Sequence, residues 1–209
     1  MTDASLQALS VLRHTENMQW YIVPLLVSVF YVYFVEIEKK NWSPVLLGLA
    51  FWATEFIWEI LNALLLHITD YSALWTTPGK SAFVIYAGLN IEISFFFAVY
   101  GLMVLKILPQ DKNMKILGIP NRLFIPTILG LAGVFVEVLL NKANMLIWAY
   151  KHWNWPNIYF IVITYCVPLL VLVWLHDNLS LRAKKIAVVL MSTLAIVCHI
   201  VFATILGWI

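Results

Sequence analysis

Six apolar runs, separated by short polar segments, are the feature of this sequence that most constrains its fold. Each run approaches the ~20 residues that an α-helix needs to cross a bilayer. The chain is 63% hydrophobic and 11% charged, with a mean hydropathy of +0.88, which is typical of a polytopic membrane protein. We therefore expect a single-domain, all-α integral membrane bundle over residues 1–209, with about six transmembrane helices. The predicted helices cover residues 19–35, 44–66, 82–107, 123–140, 158–175 and 186–208.

The uneven distribution of Lys and Arg predicts how these helices are oriented. Basic residues concentrate on the cytoplasmic side of membrane proteins. Here nine of 13 lie in the first, third and fifth loops, so these loops are expected in the cytoplasm and both termini outside it. The four on the other side are Arg13, Lys80, Lys142 and Lys151. The second and fourth loops would then form an outer aromatic belt with Trp75, Trp148, Trp153 and Trp155.

The small net charge of +2 argues against one class of partner. No basic cluster alternates with aromatic residues in a solvent-exposed segment, so nucleic-acid binding is not expected. The expected partners are the lipid bilayer and a lipophilic small molecule, and the sequence leaves the oligomeric state open.

Two acidic residues interrupt the second apolar run. Glu55, Glu59 and Asn62 are spaced i, i+4, i+7, which places them on one stripe of a helix. An ionisable group at bilayer depth costs roughly 2.5–3.5 kcal/mol on insertion scales, so it normally faces a bundle interior and marks a functional site. The alternative is that both acids are protonated and hold helices together through hydrogen bonds.

The predicted topology brings polar groups from four helices to a similar depth, given the ~1.5 Å rise per helical residue. They are Glu55 and Glu92 near mid-membrane, Glu59, Asn62, Glu137 and Asn141 in the outer half, and His199 on the last helix. The inner halves of the same helices are almost wholly apolar. This asymmetry predicts one chamber that opens outward or sideways.

A short internal similarity is consistent with that chamber. Residues 55–62 align with residues 137–144 in the pattern E-x3-[EN]-x2-N, which matches Glu55 with Glu137. Both segments lie on helices that run outward, so a parallel repeat and a chance match are both open interpretations.

Carboxyl groups that converge in a low dielectric favour partial protonation, because burial and mutual repulsion both oppose the charged form. A protonated acid beside an ionised one can act as general acid and base without a cofactor, and none is predicted. The candidate catalytic residues are Glu55, Glu59, Glu92 and Glu137. The candidate substrate-binding residues are Trp58, Asn62, Asn90, Phe96, Asn141 and His199. Aromatic rings near the acids would stabilise a developing carbocation by ~0.5–2 kcal/mol each.

Two other interpretations of the same acids are open. They could form a neutral hydrogen-bonded cluster, or they could bind a hard cation, with His199 completing a transition-metal site. The sequence has no H-E-x-x-H, E-x-x-H or D-x-x-x-D element, so no metal is predicted.

Three short segments resemble the lycopene cyclase domain of membrane-integral carotenoid cyclases. They are Phe-Ile-Trp-Glu at residues 56–59, the later Trp75, and Gly-Leu-Asn-Ile-Glu-Ile-Ser-Phe-Phe-Phe at residues 88–97. That family carries a Trp-Asp, a later Trp, and a Pro-Leu-Glu-Glu sequence that runs into a Phe-Phe pair. The resemblance implies a related multi-helix layout and an isoprenoid-like substrate.

The resemblance also implies roles for individual residues. Glu59 stands at the position of the family's aspartate, and Glu92 stands at its first glutamate. Asn90 replaces the proline, and Ile93 replaces the second glutamate.

These observations lead to three hypotheses for function. The first is a membrane-embedded enzyme that isomerises, hydrates or cyclises a lipophilic, isoprenoid-like molecule, with Glu59 and Glu92 as the leading acid and base. The second is a small proton- or cation-coupled transporter that uses the same carboxylates. The third is a non-catalytic subunit of a membrane complex. The sequence shows no clear inverted repeat or broken-helix pair, which disfavours the transporter.

Overall fold

The computed structural model describes residues 1–79 and 81–209. These residues are mostly helical, as the sequence predicts, and they form seven α-helices. The helices are α1 (Asp3–Ser10), α2 (Ile22–Glu38), α3 (Trp42–Thr69), α4 (Ile91–Lys106), α5 (Asn121–Lys142), α6 (Tyr159–Asn178) and α7 (Leu181–His199). A π-helical segment, Ile200–Ile205, continues α7. Lys80, one of the basic residues predicted on the outer side, lies outside the described residues.

Four helices of the described chain are long and apolar enough to cross a membrane: α3, α5, α6, and α7 with its continuation. They overlap four of the six predicted spans, with ends that differ by a few residues. The sequence does not predict α1, because residues 1–18 contain no apolar run. This helix begins after Thr2, whose hydroxyl accepts a hydrogen bond from the Ser5 amide at 3.3 Å.

Three antiparallel strand pairs, which an all-α prediction does not include, connect the helices of the described chain. The strands are β1 (Trp75–Thr76), β2 (Val84–Tyr86), β3 (Leu89–Asn90), β4 (Lys115–Ile116), β5 (Ile119–Pro120) and β6 (Ile147–Trp148). β2 pairs with β3 and β4 pairs with β5 as hairpins. β1 pairs with β6, so it joins the loop after α3 to the loop after α5, with Trp75 opposite Trp148.

The predicted helix over residues 82–107 is wrong at its beginning, because residues 82–90 contain the β2–β3 hairpin and α4 starts at Ile91. The cause is local. Val-Ile-Tyr favours a strand, and an apolar run alone does not distinguish a buried strand from a helix. Asn90 then caps α4, since its side-chain oxygen accepts a hydrogen bond from the Ile93 amide at 2.9 Å.

α3 is the central helix of the bundle and packs against both α4 and α7. On the α7 side, Ile60 and Ala63 are buried with Tyr86 of the hairpin. α5 packs along α6, and Gly130 allows a close approach, because a Cβ there would lie 3.0 Å from the Cα of Cys166. A cavity lies among α3, α4, α5 and α6.

Candidate active site

A cavity of about 620 Å³, here called the chamber, is bounded by α3, α4, α5 and α6 and by the loops after α3 and α5. Its size lies within the ~300–1,000 Å³ range of small-molecule sites. Seven predicted site residues line it: Glu55, Trp58, Glu59, Asn90, Glu92, Phe96 and Glu137. Much of the remaining wall is apolar or aromatic, including Phe51, Ile93, Phe97, Tyr100, Val136 and Leu169. The chamber therefore combines an apolar wall with carboxyl groups from three helices.

The chamber reaches the outer surface of the bundle. Trp58, Phe96 and Val136 line it, yet they are 50%, 45% and 44% exposed. These three side chains come from three different helices, and all are apolar.

Glu59 is the most buried acid of the chamber, at 1% exposed. Its Oε1 accepts a hydrogen bond from the indole Nε1 of Trp75 at 2.8 Å. Its Oε2 is buried and has no hydrogen-bond partner within residues 1–79 and 81–209. Gly88 packs against this carboxyl group, because a Cβ at Gly88 would lie 2.8 Å from Oε2. One oxygen of Glu59 is therefore fixed by Trp75, and the other is enclosed beside Gly88.

Glu137 on α5 is held in the same way as Glu59. It is 6% exposed, and its Oε1 accepts a hydrogen bond from Nε1 of Trp148 at 3.0 Å. Trp148 lies opposite Trp75 in the β1–β6 pair. The two short strands therefore carry both indole donors, and they fix Glu59 and Glu137 relative to each other.

This arrangement corrects the register of the internal similarity. The sequence alignment matches Glu55 with Glu137, whereas the hydrogen bonds make Glu59 the counterpart of Glu137. Asn62 and Asn141 follow the two acids and both bind the succeeding loop. Asn62 donates to the Trp75 carbonyl oxygen at 2.8 Å, and Asn141 donates to that of Leu146 at 3.0 Å. The acid and the amide are three residues apart on α3 and four residues apart on α5, so an alignment without gaps cannot match both pairs.

Glu92 differs from the other acids in its partners. Tyr21 and Ser81 donate hydroxyl hydrogen bonds to its carboxylate, the latter at 2.5 Å, and the Ala82 amide donates at 3.0 Å. Every one of these groups donates, which is the environment of an ionised carboxylate. Glu92 therefore ties the start of α2 and the segment before β2 to the start of α4.

Three of the predicted substrate-binding residues do not line the chamber: Asn62, Asn141 and His199. The two amides hold loops, as described above. The imidazole Nδ1 of His199 shares a hydrogen bond with the Tyr86 hydroxyl at 2.7 Å. Burial raises the pKa of Tyr86 to about 12, so this hydroxyl keeps its proton at neutral pH. The expectation that His199 shares the chamber is thus wrong, because α7 packs on the face of α3 that carries Ile60 and Ala63.

The sequence alone does not identify the tryptophans as site residues. The sequence predicts Trp148 and Trp153 only as part of an interfacial belt, and it adds Trp75 to the resemblance without a role, yet Trp75 and Trp148 hold the acids. Trp153 lines the chamber and stacks on Trp75, with 5.5 Å between ring centroids. The one signal in the sequence is that a tryptophan follows each helix that bears a buried acid. Across the described residues, no group of three or more His, Cys, Asp and Glu side chains could hold a metal ion.

The fold and the chamber define an α-helical integral membrane protein with carboxyl groups in an internal, mostly apolar cavity. The chain belongs to an uncharacterized membrane protein family, whose model matches residues 2–204. A relative from Archaeoglobus fulgidus, described as an uncharacterized protein, is 45% identical over 212 residues, which cover 100% of this chain and 99% of the relative. No solved structure matches the chain.

Proposed function

We propose that this protein is a membrane enzyme that isomerises, hydrates or cyclises a lipophilic, isoprenoid-like molecule by carboxyl acid–base chemistry. One observation carries the proposal: Glu55, Glu59 and Glu137 line a single, mostly apolar chamber of about 620 Å³. A structural hydrogen-bonded cluster needs no cavity of this size. A substrate site does.

Glu59 and Glu137 are the acid and base that the geometry favours. Each has one oxygen held by an indole donor, so each carboxyl group is oriented in the chamber wall. Glu92 accepts hydrogen bonds from two hydroxyl groups and one amide, which suits a structural anchor better than a proton donor. Glu55 lies one helical turn from Glu59 and also faces the chamber, where it can relay or store a proton.

The isoprenoid part of the proposal rests on the resemblance to lycopene cyclase domains. The three segments that carry this resemblance all contribute to the chamber wall, through Glu59, Trp75 and six of residues 88–97. Ile93 stands where that family has its second glutamate, and it too lines the chamber. Glu137 from α5 would supply the carboxyl group that Ile93 lacks.

The proposed reaction requires no oxidant or reductant. The protonated acid adds its proton to one carbon of a C=C bond, which leaves a carbocation on the neighbouring carbon. The second carboxylate either removes a proton from an adjacent carbon or takes one from a water molecule that attacks the cation. Aromatic rings on the chamber wall, such as those of Phe97 and Tyr100, would stabilise the cation by ~0.5–2 kcal/mol each.

We further propose six membrane-spanning helices with both termini outside the cytoplasm. α2 and α4, with 17 and 16 residues, are short for a span, but they pack in the same bundle as the four longer helices. The nine-to-four distribution of basic residues supports this orientation.

Cysteine labelling is expected to report this topology. A cysteine at the exposed Glu16 should react with an impermeant thiol reagent added outside intact cells, because the loop before α2 would be external. A cysteine at Leu117, 87% exposed in the β4–β5 turn, should react only after the membrane is permeabilised. The unsubstituted chain, whose Cys166 is buried, gives the background signal. Labelling of Leu117→Cys but not Glu16→Cys in intact cells would invert the orientation.

Transfer of protons from solvent to carbon tests the enzymatic proposal even while the product is unidentified. The purified protein in nanodiscs would be incubated in D₂O with a panel of isoprenoid alcohols and hydrocarbons, and the recovered lipids analysed by mass spectrometry. An acid–base enzyme should place deuterium on carbon in at least one product. Absence of exchange across the panel, combined with pH-driven uptake in proteoliposomes, would instead support the transporter.

A further inference from the structure

The charged groups of the chamber wall all have the same sign. Among the described residues that line it, Glu55, Glu59, Glu92 and Glu137 are acidic, and none is Lys, Arg or His. Glu92 is engaged by the three donors described above. Of the other three acids, Glu55 lies within electrostatic reach of both Glu59 and Glu137. Acids that face one another in an apolar cavity oppose each other's ionisation, so positive charge taken into the chamber stabilises them.

Glu55 differs from the other two acids because nothing holds its carboxyl group. Trp75 donates to Glu59, and Trp148 donates to Glu137. In the described part of the chain, no group forms a hydrogen bond with Glu55. The residue is partly exposed and lines the chamber, and its oxygens are not enclosed as Oε2 of Glu59 is. The carboxyl group of Glu55 is therefore open to a molecule in the chamber.

Aromatic rings lie beside this carboxyl group. Ring centroids are 4.8 Å apart for Phe96 and Tyr100, 6.2 Å for Phe97 and Tyr165, and 6.2 Å for Phe51 and Phe97. All five residues line the chamber, and we call them the ring cluster. Phe51 precedes Glu55 by one helical turn on the same face of α3, and Tyr165 lies within electrostatic reach of Glu55. The open acid and the ring cluster therefore share one region of the wall.

We propose that the chamber binds a lipophilic organic cation, such as a long-chain ammonium ion, with its charge between Glu55 and the ring cluster. A carboxylate and the faces of aromatic rings both attract positive charge, and the apolar wall suits a hydrocarbon chain. A neutral molecule of the same shape gains only the apolar contacts. This inference rests on the proposed function in taking the chamber as the substrate site, and it deepens that proposal by making Glu55 the counter-ion of the positively charged species.

Two probes of the same shape test this inference on the unmodified protein: dodecyltrimethylammonium, and the hydrocarbon in which carbon replaces its nitrogen. Each would be titrated onto the protein in phosphatidylcholine nanodiscs, with protein-free nanodiscs used to subtract partition into lipid. The ammonium ion is expected to bind about tenfold more tightly, because attraction to Glu55 and the rings adds to the apolar contacts that both probes make. Equal affinities, or tighter binding of the hydrocarbon, would overturn the proposal.

Glu55→Gln then assigns the contact. This variant keeps the size of the side chain and removes its charge, so it should weaken binding of the ammonium ion about tenfold. Binding of the hydrocarbon should not change, which also shows that the chamber is intact. Glu55→Asp keeps the charge and should recover most of the preference. Glu38→Gln removes the same charge from an exposed position outside the chamber and should change neither affinity. Unchanged binding of the ammonium ion by Glu55→Gln would contradict the proposed role of Glu55.

The outcome is separable from that of the proposed function, because binding is measured without turnover. A protein that prefers the ammonium ion but places no solvent deuterium in any product would refute the enzyme and retain this inference. A protein that exchanges deuterium into product and shows no preference for the ammonium ion would do the reverse.

Discussion

Replacement of Glu59 by Gln is expected to lower turnover, measured as solvent deuterium incorporated into product, by about 10²–10⁴-fold, the usual contribution of a general acid or base. Gln keeps the size of the side chain and an oxygen that can accept the Trp75 hydrogen bond, but it has no proton to transfer. The fold and the affinity for substrate should change little, so the loss should appear in kcat rather than KM.

Glu38→Gln is the matched control for this substitution. Glu38 is exposed at the end of α2 and does not line the chamber, so its replacement should leave the rate unchanged. Normal turnover by Glu59→Gln would exclude Glu59 as the catalytic acid. Loss of pH-dependent uptake by the same variant, with no chemical change in any lipid, would favour the transporter instead.

The largest stability effect is expected at Trp148. Trp148→Ala should lower the free energy of unfolding by about 3–5 kcal/mol, the range for removal of a buried Trp or Phe side chain. Trp148 is 4% exposed and packs with Val134, Leu146 and Ile161. The substitution would also leave the buried carboxyl group of Glu137 without its indole donor.

Denaturant titration in detergent, followed by far-UV circular dichroism, measures this effect. Trp155→Ala provides the control, because Trp155 is 66% exposed, and the expected loss is below about 1 kcal/mol, as for an ordinary surface position. Trp148→Phe separates the hydrogen bond from the packing and should show an intermediate loss. Equal stability of Trp148→Ala and Trp155→Ala would mean that the β1–β6 pair does not hold Glu137 in place.

The helical content of the fold could be predicted because long apolar runs have few alternatives in a membrane. The hairpin at residues 82–90 could not, since its apolar residues continue directly into the run of α4. Local sequence patterns also could not predict the pairing of β1 with β6. It joins loops far apart in the chain through only two residues on each strand.

The sequence could predict which acids face the interior of the bundle, because a charged side chain within an apolar span is costly to expose to lipid. Glu55, Glu59, Glu92 and Glu137 line one chamber, as expected from the energy of burying a charge alone. The expected depth of Glu92 near mid-membrane is wrong, because α4 begins at Ile91 and Glu92 lies in its first turn. His199 lies outside the chamber. Its depth could not predict this, because depth does not specify which face of a neighbouring helix a residue meets. That face depends on packing partners, which a single sequence does not reveal.

The sequence could not predict that Trp75 and Trp148 bind the acids, for a different reason. Interfacial tryptophan is so common in membrane proteins that its presence alone carries no functional information. Trp75 and Trp148 gain their role only through their cross-strand pairing, which aims one indole N–H at each acid.

The most direct measurement of the central claim, that Glu59 and Glu137 act together on one molecule in one chamber, is the turnover of the double variant. Deuterium incorporation would be compared for Glu59→Gln, Glu137→Gln and the variant with both changes. Catalytic groups that act as a unit give strongly non-additive losses, so the double variant should be about as slow as the slower single variant. If the two losses instead multiply, the acids act independently, and the shared site is contradicted.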